Sequence, residues 1–86
     1  MAIAQVVHEP VLGCRSVAFD EHAVTRIAER GVSIDEVIEV LRNPDQTGLP
    51  TQPNRCRCRK NLGGRRVDVI YEHDPTQIVV ITVVAR

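Results

Sequence analysis

The apolar spacing of the first third of the chain predicts a helix that begins after Asp20, a residue type that caps helix N-termini. Gly31 is expected to end this helix, because glycine readily takes the left-handed conformation that follows many helices. The residues at helical spacing between these two points would face the core, and they are Ala23, Val24, Ile27 and Ala28.

A second helix is predicted directly after the first. Ser33 and Glu36 have the spacing of a capping box, in which each side chain bonds the other's backbone N–H. Asn43 and Pro44 stop the helix, since a residue before proline disfavours the helical conformation. Its apolar face recurs at the positions i, i+3, i+4 and i+7, which are Ile34, Val37, Ile38 and Leu41.

The rest of the chain changes to the alternating pattern of β-strands. Residues 43–54 are rich in proline, glycine and asparagine and are predicted to form a surface loop. Three strands follow, with the sequences RCRCRK, RRVDVIYEH and IVVITVVA, separated by the turns NLGG and DPTQ. The last strand is apolar on both faces, which predicts a central position with cover on each side.

These elements predict an α+β domain in which two N-terminal helices pack on a three- to four-stranded antiparallel sheet. Residues 19–86 form the domain in this interpretation. Residues 1–18 are an N-terminal extension, in which residues 3–7 are a candidate edge strand.

Composition narrows the functional classes. The chain has 86 residues, of which 43% are apolar, but only Phe19 and Tyr71 are aromatic. Scarce aromatic residues argue against an RNA-binding module that stacks bases on exposed rings. The formal net charge is zero, yet residues 54–66 contain no acid and six basic residues, which are Arg55, Arg57, Arg59, Lys60, Arg65 and Arg66. A basic strip with a local positive field is therefore expected.

The three cysteines, Cys14, Cys56 and Cys58, do not have the spacing of metal ligands and are expected to be reduced thiols of a cytosolic protein. No metal and no cofactor is predicted. The N-terminus lacks the pattern of a signal peptide, and no apolar run reaches the length of a membrane span. The sequence therefore predicts a cytoplasmic protein that does not bind membranes.

The stretch HAVTRIAERGVSIDEV resembles the opening of a family of uncharacterised domains within the RelE/ParE and BrnT-like toxin superfamily. The signature of that family is a His-Ala-x-x-Arg-x-x-x-Arg helix, followed by a small turn and Ile/Val-Ser/Thr. The run IVVITVV is similar to the family's closing strand, where a threonine lies inside an aliphatic run. The resemblance implies the barnase–EndoU–colicin–RelE fold, whose best-known members are small metal-independent ribonucleases. It also implies a toxin–antitoxin setting.

The resemblance and the residue types together predict an endoribonuclease site. RNA cleavage without a metal needs a general acid and base, and cations for the charged transition state. His22 would transfer protons, Arg26 and Arg57 would stabilise the charge, and Thr82 would hold a phosphate oxygen. The basic residues expected to hold the RNA backbone are Arg30, Arg55, Arg59, Arg65 and Arg66.

Other interpretations stay open on the sequence alone. His22 would then only pack or cap locally, while Arg26 and Arg30 form surface ion pairs of small energy with Glu29. Alternating arginines on a strand also protect a sheet edge from pairing with other chains. The alternative function is a non-catalytic binding module of the same fold that acts on a protein partner, either an antitoxin or a topoisomerase. RNA and an antitoxin are the candidate partners, and the oligomeric state is not predicted.

Overall fold

In the part of the chain that the structure describes, the sheet has five strands and two helices lie against it. The computed structural model describes residues 2–48 and 55–86. The elements in chain order are β1 Ile3–Val7, β2 Ser16–Asp20, α1 Glu21–Glu29, α2 Ile34–Arg42, β3 Cys56–Leu62, β4 Arg65–His73 and β5 Gln77–Ala85. The loop predicted over residues 43–54 is described only to residue 48, because residues 49–54 lie outside the described part of the chain.

The predicted arrangement of two N-terminal helices on a three- to four-stranded antiparallel sheet is wrong. Two strands precede the helices, and the sheet is mixed, with the order β1-β2-β5-β4-β3 and with β2 parallel to β5. The strand β2 was missed for two reasons. It passes into α1 without a turn, and Val17, Ala18 and Phe19 are all buried, so the strand shows no alternation. The fold is nevertheless α+β.

The central position predicted for the last strand is confirmed, but both helices lie on one face of the sheet, so the cover predicted for its other face is not found among the described elements. β5 is the middle strand of the sheet, with β2 on one side and β4 on the other. Its residues from Ile78 to Ile81 are buried whichever face they point to. A bulge at Ile81 of β5 shifts the register with β4, so that Ile70 lies opposite Thr82 and Tyr71 lies opposite Val80.

Both helix starts are as the sequence predicts. The carboxylate of Asp20 accepts a hydrogen bond from the backbone N–H of His22, at 3.3 Å. In the capping box, the Glu36 N–H donates to the Ser33 hydroxyl at 3.1 Å, and the Ser33 N–H donates to the Glu36 carboxylate at 2.9 Å. Gly31 follows the first helix with φ of +65°, the left-handed conformation that was expected there.

The two helices cover the same face of the sheet. One core cluster contains Ala23 and Ile27 of α1, four residues of α2, and strand residues that share a face, among them Phe19, Val69 and Val83. Consecutive residues of a strand point to opposite faces of the sheet. The strand residues that alternate with Phe19, Val69 and Val83 therefore point away from the helices. We call that side the helix-free face. A small second cluster of Ala18, Val79 and Ile81 is separate from the main core.

Candidate functional site

The hairpin of β3 and β4 sets out the basic residues of the helix-free face. Gly63 and Gly64 form its two-residue turn with φ of +61° and +83°, a backbone conformation that residues other than glycine rarely adopt. The turn fixes a register in which Arg59 lies opposite Asp68. Arg57 is two positions from Arg59 and therefore points to the same face.

Three guanidinium groups surround the carboxylate of Asp68, whose side chain is only 5% exposed. Arg59 donates two hydrogen bonds to it, from Nε at 2.9 Å and from Nη2 at 3.2 Å. The Nε atoms of Arg57 and Arg66 lie 3.9 Å from its oxygens. The hydrogen bonds to Asp68 raise the pKa of Arg59. One buried acid thus holds three cations together.

The cluster keeps an excess of positive charge. Arg55 lies 3.4 Å from Glu72, so four arginines face two carboxylates and the balance is two positive charges. The Nε of Arg57 is shielded from solvent and has no hydrogen-bond partner within the described residues. We call the surface formed by Arg55, Arg57, Arg59, Arg66, Asp68 and Glu72 the arginine face. It offers donors that its own acids do not fully occupy.

Apolar residues lie on the same side of the sheet. On β1, Ile3 is opposite Asp20 and Val6 is opposite Ala18, which belongs to the second cluster. Ile3 is 44% exposed and Val6 is 40% exposed. The helix-free face is therefore basic at the β3 side and apolar at the β1 side.

The predicted catalytic residues are divided between the two sides of the sheet. Arg57 and Thr82 both lie opposite Ile70, one on each neighbouring strand, so all three share a row on the helix-free face. His22 is on α1, which packs against the other face. The Nε of Arg26 donates to His22 Nε2 at 3.4 Å, and its Nη1 pairs with Glu29 at 3.2 Å on the exposed surface.

The basic residues predicted to hold RNA are also divided. Arg55, Arg59 and Arg66 belong to the arginine face. Arg65 shares the face of the helices, where its Nη1 donates to the carbonyl of Gly31 at 3.2 Å. Arg30 is the C-cap residue of α1. The single patch expected from Arg65 and Arg66 is therefore two patches, because adjacent residues of a strand point to opposite faces.

Both aromatic residues are buried on the side of the helices. Phe19 is fully buried, and Tyr71 is 7% exposed. The Cys58 thiol donates to the Tyr71 hydroxyl at 3.6 Å. Burial raises the pKa of Tyr71, and it raises the pKa of the Cys58 thiol in the same way. Neither ring is available to stack on a base.

Three further kinds of feature are relevant in the part of the chain that the structure describes: metal sites, disulfides and membrane-spanning helices. No group of three or more histidine, cysteine, aspartate or glutamate side chains in residues 2–48 and 55–86 is placed to hold a metal ion. All three cysteines are free thiols. Within the same residues, no helix has the length and apolar character needed to cross a membrane.

Sequence reasoning missed the acids that organise the arginines. Neither Asp68 nor Glu72 is among the predicted site residues. The signal was present in the two-residue glycine turn, since it sets Leu62 opposite Arg65 and, three pairs further on, Arg59 opposite Asp68. An opposite-charge pair across two strands is a common source of sheet stability.

One family model matches the sequence of this chain. A family model described as a domain of unknown function, DUF4258, matches residues 19–85. The chain belongs to the DUF4258 family. The residues that this family shares include both helices and the strands β3 to β5, whereas β1 and most of β2 precede the match. No curated protein and no solved structure matches the chain. Membership of the RelE/ParE superfamily stays a prediction.

Proposed function

We propose that this DUF4258 domain is a non-catalytic binding module whose helix-free face takes an acidic, partly apolar segment of a protein partner. The observation that carries the proposal is the cluster in which Arg57, Arg59 and Arg66 share the single carboxylate of Asp68. Carboxylates of a partner would meet guanidinium groups already held in place.

The apolar side of the face supports a protein partner over RNA. Ile3 and Val6 offer exposed aliphatic surface on the same side of the sheet, at the opposite edge and separated from the arginine face by β2 and β5. An extended peptide that crosses the strands could place apolar side chains there, and a phosphate backbone has no such groups. RNA recognition commonly adds stacking on aromatic rings. Phe19 and Tyr71 are both buried on the other side of the sheet.

The endoribonuclease implied by the resemblance stays a prediction. It requires His22 and Arg57 in one cleft, and the sheet lies between the faces on which they are found. A general acid and base must reach the atoms whose protons move, to within hydrogen-bond distance or through one water.

The free state of the three cysteines supports a reducing compartment, and we propose the cytoplasm.

The test compares two labelled probes by fluorescence anisotropy: a peptide in which glutamate and leucine alternate, and a single-stranded RNA. The variants are Arg57→Gln and Arg66→Gln, and the matched control is Arg30→Gln, which removes the same charge from the other side of the sheet. Circular dichroism checks that each variant is folded. We expect the peptide to bind and the two face variants to weaken binding about 3- to 10-fold, or about 0.6–1.4 kcal/mol. This is less than the about 1.5–3 kcal/mol of a hydrogen bond to a charged group, because the side chains of Arg57 and Arg66 are 29% and 40% exposed and solvent screens their charges.

Three outcomes would overturn the proposal. The first is RNA binding that exceeds peptide binding and falls steeply with salt, as expected when arginines replace counterions on phosphates. The second is an equal loss of peptide binding in the Arg30→Gln control. The third is cleavage of the RNA in EDTA by the wild-type protein.

A further inference from the structure

A cysteine and a histidine from distant parts of the chain are in contact at one end of the sheet, apart from the arginine face. The Sγ of Cys14 lies 3.1 Å from Nε2 of His73. The same sulfur lies 3.5 Å from the backbone carbonyl of Asp74. Cys14 is 3% exposed. It precedes the residues that define the family match, whereas His73 is within them.

Two backbone turns hold the pair. Val11 and Cys14 exchange backbone hydrogen bonds of 3.0 and 2.9 Å around a two-residue turn. Leu12 in that turn has φ of +52°, a conformation that a leucine rarely adopts. The second turn follows β4 and is closed by the Asp74 N–H bonded to the Gln77 carbonyl at 2.9 Å.

The two turns are also joined to each other. The Arg15 N–H donates to the Thr76 carbonyl at 3.2 Å. This bond lies one residue beyond Cys14 on one side and three beyond His73 on the other. The backbone bonds therefore hold the two turns that carry Cys14 and His73 against each other.

A cleft lies beside these two turns. It has a volume of about 490 Å³ and is lined by Gly13, Arg15, Ser16, Pro75 and Thr76. These residues flank Cys14 in one turn and His73 in the other. Cys14 and His73 do not line the cleft themselves, but Gly13 and Arg15 on either side of Cys14 do, so a small molecule in the cleft lies next to the turn that holds the thiol.

We propose that Cys14 and His73 form a thiol–imidazole pair, and that Cys14 is the site at which this protein is oxidised by peroxide. His73, with its ring proton on Nδ1, takes the thiol proton of Cys14 at Nε2. The thiolate sulfur attacks one oxygen of hydrogen peroxide and the O–O bond breaks. The departing hydroxide takes the proton from His73 and leaves as water. Cys14 becomes a sulfenic acid, having lost two electrons that reduce the peroxide.

The other two cysteines make internal references for the proposal. Cys58 is fully buried beside Tyr71, and burial raises the pKa of its thiol, which keeps it protonated and unreactive. Cys56 is half-buried and more exposed than Cys14. If exposure alone decided reactivity, Cys56 would be oxidised first. If the imidazole decides it, Cys14 is oxidised first.

The experiment exposes the folded protein to hydrogen peroxide for timed intervals and stops the reaction with catalase. The protein is then unfolded in denaturant containing dimedone, which traps sulfenic acid, and each cysteine peptide is quantified by mass spectrometry. The test variant is His73→Gln. The matched control is His8→Gln, which makes the same substitution at an exposed histidine six residues before Cys14.

We expect Cys14 to be oxidised about tenfold faster than Cys56, and His73→Gln to remove most of that difference. His8→Gln should leave it unchanged. The rate at Cys58 reports unfolding, because it rises only if a variant opens the core. Oxidation of Cys56 before Cys14 in the wild-type protein overturns the proposal. So does an unchanged Cys14 rate in a His73→Gln variant whose Cys58 stays protected.

Discussion

The folding free energy should depend strongly on the carboxylate of Asp68, and Asp68→Asn tests this. The substitution keeps the shape of the side chain but removes the charge that Arg59, Arg57 and Arg66 share. Its amide group can no longer accept both hydrogen bonds from Arg59, at 2.9 and 3.2 Å. It also leaves three guanidinium groups close together with no opposing charge between them.

The size of the effect follows from the burial of Asp68. Breaking a fully buried ion pair costs about 3–5 kcal/mol, but the arginines are 26–40% exposed, so solvent screening reduces that figure. We expect Asp68→Asn to lower the free energy of unfolding by about 2–3 kcal/mol. For a domain of this length that corresponds to a fall in Tm of about 10–20 °C.

Urea unfolding followed by circular dichroism measures this loss, and Glu72→Gln is the control. Glu72 is on the same strand and face, but it and its partner Arg55 are each 35% exposed. We expect Glu72→Gln to change the free energy of unfolding by less than about 1 kcal/mol. Equal losses in the two variants, or an Asp68→Asn variant as stable as the wild type, would refute the view that one buried acid organises the arginine face.

Three further predictions concern the cap of α2, the loss of stability at alkaline pH, and His22. Ser33→Ala should lower the free energy of unfolding by about 1 kcal/mol, measured in the same urea titration, because it removes one half of the capping box. Burial raises the pKa values of Tyr71 and Cys58, so the stability they contribute is complete below their ordinary pKa values. That stability is lost as the pH rises above about 9–10, because the unfolded chain releases these protons first. Thermal unfolding across that range should show Tm falling, and falling less steeply in Tyr71→Phe. His22→Ala should leave peptide binding unchanged in the anisotropy assay, and a loss of binding would place α1 in the site.

Local signals predicted the elements whose causes are local. A few neighbouring residues suffice to predict the capping box of Ser33 and Glu36, the left-handed conformation of Gly31 and the burial of β5 on both faces. β2 was different. Its pairing with β5 joins residues about sixty positions apart, as Val17 with Ile78 shows, and nothing near Val17 indicates that partner.

The candidate site was predictable in part for the same reason. Alternation along β3 puts Arg55, Arg57 and Arg59 on one face, and the structure has them there. Which side of the sheet the helices cover is a matter of tertiary packing, so the separation of His22 from Arg57 could not be read from spacing. The contact of Cys14 with His73 joins two turns that are 59 residues apart, and no motif in the chain signals it.

The most direct test of the proposed binding face observes the arginine Nε–H groups themselves by ¹⁵N–¹H NMR while the glutamate–leucine peptide is added. The side chain of Arg57 is 29% exposed while its Nε–H is shielded and lies 3.9 Å from Asp68, so the Nε–H signal should shift when a carboxylate binds the same guanidinium group. The signals of Arg66 and Arg59 should move with it, and that of Arg30 should stay in place. Shifts confined to Arg26 and Arg30 on α1, or none on Arg57 at peptide saturation, would contradict the account.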